Sequence, residues 1–317
     1  MSKTISVCIP VYNESENIVT AVARVEELFR SELPDYGLEL VVTDNASSDD
    51  TWDVIKGLAQ SRPDMKALRF SRNFGYQNSI FAALSTASGD AVVELDADLE
   101  DPPEVIPRFV EKWREGYDVV YGVRSKRYGS LIIRAFTLIF YRLLNMMSEQ
   151  DIPRDSGDFR LLDRKVVAAL VAMPERNLYL RGLVAFLGFR QTPVVYERHP
   201  RLSGASKFRF FHYVILAIDA FTAFTKFPLR LIGVLGFLLF SGALVLAAYY
   251  LGLHFVGGIP VQGFTTLVIL MLILHGITFI FLGILGEYLS RIFDDSKMRP
   301  RVVIAETIHV EKPPEFL

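Results

Sequence analysis

Cysteine is almost absent from this chain of 317 residues: Cys8 is the only one, and it lies inside the apolar run Ile5 to Val11. A single thiol excludes an intrachain disulfide and a Cys-rich zinc site, and gives no sign of an oxidising compartment. Its setting makes it a core residue. Histidine is scarce too, and His199 and His212 flank a basic stretch without a zinc spacing. The opening residues, Met1-Ser-Lys-Thr-Ile-Ser, lack the long apolar core and small-residue cleavage site of a secretory signal. The first domain is therefore expected to stay in the cytoplasm.

Acidic residues are missing where it matters. The net charge of -2 hides two stretches without Asp or Glu, one between Asp118 and Glu149 and one between Glu197 and Asp219. The first holds Arg124, Lys126, Arg127, Arg134 and Arg142, the second Arg198, Arg201, Lys207 and Arg209. Basic stretches beside an acidic centre point to anionic partners, phosphates or a membrane surface, in preference to nucleic acid.

Charge is missing altogether from Leu231 to Leu253, 23 residues, and from Phe264 to Leu285, 22 residues in which His275 is the one ionisable group. Each exceeds the ~18–20 residues that cross a bilayer. Lys226 and Arg230 precede the first run, Arg291, Lys297, Arg299 and Arg301 follow the second, and the link between them carries no Lys or Arg. The positive-inside rule then places both ends in the cytoplasm, as a two-span hairpin in the inner membrane. His275 reads equally as a functional group in lipid or as a neutral side chain hydrogen-bonded between helices.

What is present in the first two-thirds is alternation. Ile5–Val11, Leu38–Thr43, Lys66–Phe70 and Ala91–Leu95 read as strands, and Glu16–Arg30, Asp49–Gln60 and Gln77–Thr86 as helices, the second entered through Ser47 and Ser48 as caps. This predicts an α/β fold, a parallel sheet covered by helices on both faces, with Asp118–Val123 as an edge strand. Ligands then bind beyond the carboxyl ends of the strands. There the sequence delivers Pro10-Val-Tyr-Asn-Glu14, Asp44-Asn-Ala-Ser-Ser-Asp49, Ser71-Arg-Asn-Phe-Gly75 and the acidic cluster Asp96-Ala-Asp98-Leu-Glu-Asp101. Two further segments, Ser130–Ser148 and Phe208–Phe227, carry a narrow polar stripe on an apolar, cationic body and read as helices lying in the membrane interface, the first having a core helix as its alternative.

Asp96 and Asp98 carry the chemistry. An Asp-x-Asp alone is more often a solvated turn, but at the end of a central strand its oxygens suit Mg²⁺ or Mn²⁺, with water and substrate phosphates completing the shell. Asp49, Asp50, Glu100 and Asp101 read as solvated or capping groups, and Trp52 and Trp113 as packing residues.

The motifs at Pro10–Glu14, Asp44, Asp96–Pro103 and Arg201-x-Ser-Gly-x-Ser-Lys207, followed by the hairpin, resemble those of polyisoprenyl-phosphate glycosyltransferases. These are inverting family-2 glycosyltransferases of GT-A fold, among them dolichyl-phosphate mannose synthases and bacterial undecaprenyl-phosphate (bactoprenol) glucosyltransferases. The resemblance runs from about Ile5 to Arg301, and Gly157-Asp-Phe-Arg160 looks closest to the bacterial glucosyl group.

It implies a metal-dependent enzyme that transfers a hexose, glucose from UDP-glucose, to undecaprenyl phosphate. GDP-mannose or another UDP-sugar is the alternative donor, and a non-enzymatic membrane scaffold the rival of another class. Pro10, Tyr12, Glu14 and Asp44 would hold the nucleotide, and Asp96 would face nucleotide and sugar. Asp98 would be the principal metal ligand, with Asp96 beside it, and Asp158 would stand at the catalytic-base position. Arg124, Lys126, Arg127, Arg160, Arg201 and Lys207 would meet phosphates. The expected layout is a catalytic domain over 1–206, an interfacial helix over 207–228, the hairpin over 229–290 and a cytoplasmic tail over 291–317, in a chain that assembles as a homo-oligomer. Asp44-Asn-Ala-Ser departs from the commoner Asp-Gly-Ser, and Tyr76-Gln-Asn78 falls where relatives vary.

Overall fold

The structure is a computed structural model that describes residues 3–125, 156–174, 178–198, 227–256 and 263–310. The first part of the chain alternates as its pattern requires: β1 (Thr4–Val11), α1 (Ser15–Glu32), β2 (Gly37–Asp44), α2 (Thr51–Gln60), β3 (Met65–Phe70), α3 (Tyr76–Thr86) and β4 (Ala91–Glu94). Then follow α4 (Ile106–Arg114), β5 (Val119–Arg124), β6 (Ser156–Asp163), α5 (Arg164–Val171), α6 (Leu180–Phe186) and β7 (Gln191–Tyr196). Two long helices, α7 (Phe227–Val256) and α8 (Phe264–Ser296), precede a last strand, β8 (Ile304–Ile308). The central strands are buried on both faces, as near-continuous apolar runs demand, and Cys8 is fully buried among them. The stripe of α1, with Ile18, Ala21, Val22, Val25, Leu28 and Phe29, packs at three- and four-residue spacing onto this sheet.

The eight strands lie in the order β7-β5-β6-β4-β1-β2-β3-β8. β3, β2, β1 and β4 run parallel, but β6 inserts antiparallel between β4 and β5, and β8 pairs antiparallel with β3. The expected parallel pairing therefore holds for β1 to β4, and the later strands make the whole the mixed α/β sheet of a GT-A-like fold. The strand at 118–123, however, is not an edge. β5 has β6 on one side and β7, parallel, on the other. Phe159, Leu161 and Leu162 of β6 are buried, so a segment that reads as a polar motif has the apolar content of an interior strand.

At the end of the sheet away from the carboxyl rim, Glu39 ties four segments together. It accepts from Ser6 Oγ, from the Ser88 amide at 2.7 Å and hydroxyl at 2.5 Å, and pairs with Lys66 at 2.6 Å. Burial pushes its carboxyl up, but these donors outweigh it and hold the group below the usual carboxylate range.

The capping expected of Ser47 and Ser48 changes: the Ser48 hydroxyl donates to Asn13 Oδ1 at 3.3 Å. Ser47 does not cap α2; its hydroxyl donates to Asp44 Oδ1 at 2.5 Å and accepts from the Asn13 amide at 2.9 Å. Asp49 meets the Thr51 amide at 3.1 Å instead. Trp52 and Trp113 are packed as expected, each indole N–H donating to a carboxylate, Glu306 at 3.0 Å and Asp163 at 2.7 Å.

The described residues fall into two compact units. One draws on Met1–Asn145, Gln150–Arg209 and Arg299–Leu317, the other on Phe210–Met298 with Met146–Glu149. The second unit holds α7 and α8, whose described side chains are mostly exposed, among them Phe237, Phe240, Phe279, Ile280 and Phe293. Apolar exposure on this scale marks a surface meant for lipid or a partner. Among the described residues one window, Ile273–Ser290, is long and apolar enough to cross a membrane, and α7 offers a shorter stretch, Leu231–Val245. The expected pair of spans is thus matched by one such window. Within α8, His275 Nδ1 donates to the Met271 carbonyl at 2.8 Å, so its polar group is satisfied by the helix it sits on. The helices expected at 130–148 and 207–228 lie outside the described residues but for the first two residues of α7.

Candidate active site

The rim where β1, β2, β3, β4, β5 and β7 end also receives the start of β6, because that strand runs the other way. Antiparallel insertion brings residues of the Gly157–Arg160 motif to the carboxyl ends of the other strands. Two groups of polar side chains result.

The first lies beyond β1 and β2. Asn13, at a left-handed φ of 57°, turns the chain after Tyr12 so that its side chain accepts from the Ser48 amide at 2.8 Å. The Glu14 amide donates to Thr51 Oγ1 at 3.0 Å, and Asn17 donates to Glu14 Oε2 at 2.6 Å. Pro10 is buried at the end of β1 and Tyr12 is 43% exposed. Asp44 is fully buried; Oδ1 accepts from the Ser47 amide at 3.0 Å as well as its hydroxyl. Its Oδ2 lies 3.5 Å from Arg69 Nε and accepts no hydrogen bond among the described residues. Ala46 holds the tight turn at φ 60°, a left-handed conformation that costs an L residue about 1 kcal/mol.

The second group lies beyond β4 and β6. Their ladder pairs Ala91 with Asp163 and ends with Glu94 opposite Arg160. Two residues further along each strand are Asp96 and Asp158, which a continued ladder would set face to face. Like charges in that position repel. Each is instead held from outside. The Tyr76 hydroxyl donates to Asp96 Oδ1 at 2.5 Å. Arg181 grips Asp158 at two points, Nε to Oδ1 and Nη2 to Oδ2, both 2.8 Å, and Arg160 Nη2 adds a third bond at 3.1 Å.

Electrostatics separate the two carboxylates. Enclosure raises Asp96 to about 7, with the charges of Asp98, Asp158 and Asp101 reinforcing it and the Tyr76 bond opposing. Enclosure acts on Asp158 too, but Arg181, then Arg160 and Arg124, outweigh it and hold its carboxyl below the usual range. Asp158 is therefore an anion at neutral pH and a poor proton acceptor. Glu94 is buried, 3.5 Å from Arg160, and burial with the charges of Asp158 and Asp96 pushes it up to about 8.

Asp98 turns the loop, its Oδ1 accepting from the Glu100 amide at 3.1 Å, and Leu99 is buried in a left-handed conformation at φ 54°. Backbone strain of this kind persists where surrounding packing over-determines it. The packing comes from Glu100 and Asp101, and here the solvated reading is corrected: both are buried and paired. Asp101 accepts from Tyr196 at 2.5 Å and Arg124 at 3.0 Å, and Arg198 pairs with Glu100.

Among the described residues no cluster of three or more metal-ligating side chains occurs. Asp96 and Asp98 supply two carboxylates in a place where enclosure, and after it the neighbouring negative charges, raises Asp96. That donor set fits a hard divalent cation that takes one or two carboxylates and leaves its remaining positions to water and phosphate.

The structure thus assembles Asp96, Asp98, Asp158, Arg160 and Arg124 around one part of the rim and Pro10, Tyr12, Glu14 and Asp44 around another. Lys126, Arg127, Arg201 and Lys207 lie outside the described residues. Sequence reasoning missed Glu94, Arg181 and the contact of Tyr76. Glu94 stands in step with Asp96 and Asp98, two and four residues ahead, a usable signal; Arg181 sits in a segment with no motif to mark it.

A family model described as glycosyl transferase family 2 matches residues 6–171. The bactoprenol glucosyl transferase of Shigella phage SfV is 40% identical over 95% of this chain and 97% of its own length. An uncharacterized glycosyltransferase of Bacillus subtilis, YkcC, is 38% identical over 96% and 94%. Among solved structures, glucosyl-3-phosphoglycerate synthase from Mycobacterium tuberculosis is 18% identical over 69% of this chain and 78% of its own, with a TM-score of 0.48, too loose a likeness to bear on ligands.

Proposed function

The chain belongs to glycosyl transferase family 2, and from that premise we propose that it transfers glucose from UDP-glucose to a polyprenyl phosphate, undecaprenyl phosphate in a bacterium, with inversion at the anomeric carbon. The observation that carries the reading is the meeting, at one rim, of the Asp96/Asp98 pair with an Asp158 locked as an anion between two arginines. Near-full-length similarity to a bactoprenol glucosyl transferase supports the sugar and the class of lipid.

In this reading Pro10, Tyr12, Glu14 and Asp44 hold the nucleotide, with Asp44 Oδ2 accepting from the base. Asp96 and Asp98 would hold Mg²⁺ or Mn²⁺, which when bound neutralises the charge that develops on the leaving diphosphate. The lipid phosphate has a second pKa near ~6 and is largely ionised at neutral pH, so its oxygen attacks without a proton to remove. Asp158 then has no base to be. Its fixed negative charge faces the positive charge growing at the anomeric carbon, while Arg160 and Arg124, joined by Lys126, Arg127, Arg201 and Lys207, offset the charge of the two phosphate groups.

The exposed apolar helices α7 and α8 supply the anchor. Two spans with the catalytic domain and both ends in the cytoplasm, interfacial helices at 130–148 and 207–228, and a homo-oligomeric assembly complete the proposal, the topology resting on the distribution of Lys and Arg. Purified protein offered undecaprenyl phosphate with UDP-glucose, other UDP-sugars and GDP-mannose should yield a glucosyl-phospholipid by mass. A product from GDP-mannose alone reassigns the donor; none from any donor sinks the reading.

A further inference from the structure

Asp96 and Asp158 lie two residues beyond the last rung of the β4–β6 ladder, Glu94 with Arg160, so that ladder does not hold them in place. The residues that do come from two helices elsewhere in the chain, and those helices are joined. On α3, Tyr76 donates to Asp96 and its neighbour Gln77 accepts, through Oε1, the Leu180 amide at 3.1 Å. On α6, Leu180 makes that bond and its neighbour Arg181 grips Asp158. Two adjacent residues on each helix thus divide the work in the same way, one binding the other helix and one binding a carboxylate. The result is a circuit from Asp96 through Tyr76, Gln77, Leu180 and Arg181 to Asp158.

Two features make Arg181 the decisive member. Its fork meets both oxygens of Asp158, which fixes the plane of the carboxylate as well as its position. The other cation on Asp158, Arg160, reaches a single oxygen and is shared with Glu94 and with the carbonyls of Gly157 and Asp158. Arg160 therefore supplies charge without setting the plane.

We propose that Arg181 is a positioning residue for sugar transfer: through its two-point bond and the Gln77–Leu180 contact it holds Asp158 at a set distance and orientation from Asp96, so that donor sugar and acceptor phosphate meet in line. The proposal rests on the glucosyl-transfer reading above. It assigns a role to the segment around Tyr76 and Gln77, which carries no recognisable motif, and to a helix outside the region matched by the family model.

The test is steady-state kinetics of wild type, Arg181→Lys, Arg181→Gln and Gln77→Ala in the full chain, with thermal midpoints measured alongside. Misplacing a reacting group by about 1 Å costs on the order of 100-fold, so Arg181→Gln should lose about that much in kcat with its KM for UDP-glucose within about 2-fold of wild type. Arg181→Lys, which keeps the charge and loses the plane, should fall between the two, and Gln77→Ala should lower kcat in the same sense by less. Three results overturn the proposal: Arg181→Gln turning over like wild type, Arg181→Lys doing no better than Arg181→Gln, or a KM for UDP-glucose that rises in step with the fall in kcat. A lowered thermal midpoint with full kcat in the surviving protein also counts against it, as a purely structural role. If wild type itself forms no sugar lipid from any donor, the underlying reading fails and takes this one with it; if wild type is active and the variants match it, only the positioning role falls.

Discussion

The hydroxyl of Tyr196 donates to Asp101 Oδ1 at 2.5 Å, joining the end of β7 to the loop that carries Asp96 and Asp98. Arg124, at the end of β5, takes the other oxygen at 3.0 Å. The acidic loop is therefore braced from the far side of the sheet, across β6, by residues 23 and 95 positions away in the chain.

Breaking this brace should be costly in proportion to burial. Asp101→Ala leaves Arg124 without its buried partner and should lower stability by about 3–5 kcal/mol, whereas Tyr196→Phe removes one hydrogen bond to a charged group and should cost about 1.5–3 kcal/mol. Urea unfolding of the detergent-solubilised protein reads both. Equal, negligible losses would mean that the loop stands by itself.

Tyr76→Phe tests the holding of Asp96. With a cation in place Asp96 would be ionised, and loss of a hydrogen bond to an ionised carboxylate is worth about 1.5–3 kcal/mol, so kcat/KM for UDP-glucose should drop about 10- to 100-fold. An unchanged value would remove Tyr76 from the site.

Asp98→Ala should abolish the cation's contribution without unfolding the chain. UDP with Mn²⁺ is expected to raise the thermal midpoint of wild type and chelator to cancel the gain, by mass action on the folded state. Protection that persists in Asp98→Ala would place the cation elsewhere.

Glu39 should give stability a defined acid dependence. Its folded carboxyl lies below the usual range because Lys66, Ser6 and Ser88 outweigh burial. A group lowered in the folded state stabilises fully above its unfolded value, near ~4.3, and loses that contribution as pH falls through the folded value. Wild type should therefore lose stability below about pH 5 more steeply than Glu39→Gln, which starts lower at neutral pH and has no such group to titrate. Parallel unfolding curves from pH 7 to pH 4 would contradict this.

Topology can be read against almost no background. Cys8 is fully buried, and burial with the nearby charges of Glu94 and Glu39 pushes its thiol well up, which leaves it unreactive towards maleimides. Gly258→Cys, in the link between the two apolar runs, should label from outside intact cells with an impermeant reagent, and Ser2→Cys should not. The reverse pattern, or no labelling of either, would overturn the two-span arrangement.

Hydrophobic pattern made β1 to β4 and their helices legible, because interior parallel strands are continuous apolar runs bounded by polar loops. It was less informative for β6, where Asp158 and Arg160 interrupt the run, and for β8, whose Glu306 faces Arg69 and Trp52 at an edge. The same limit explains the site. Asp96 and Asp98 announce themselves by spacing, whereas Asp101 looks like one more surface acid until Tyr196 and Arg124 arrive from other strands. Arg181 gives no local sign, since what defines it is the carboxylate it meets 23 residues away.

β8 follows both long helices in the chain and yet closes the edge of β3 in the first unit. Helices α7 and α8 are thus an insertion into the catalytic unit and not an appendix to it. During synthesis β3 keeps an open edge until the residues after Ser296 leave the ribosome, by which time the apolar helices have already been made. An open edge invites wrong partners, so delivery of the helices to the membrane should set the moment at which the enzyme finishes folding.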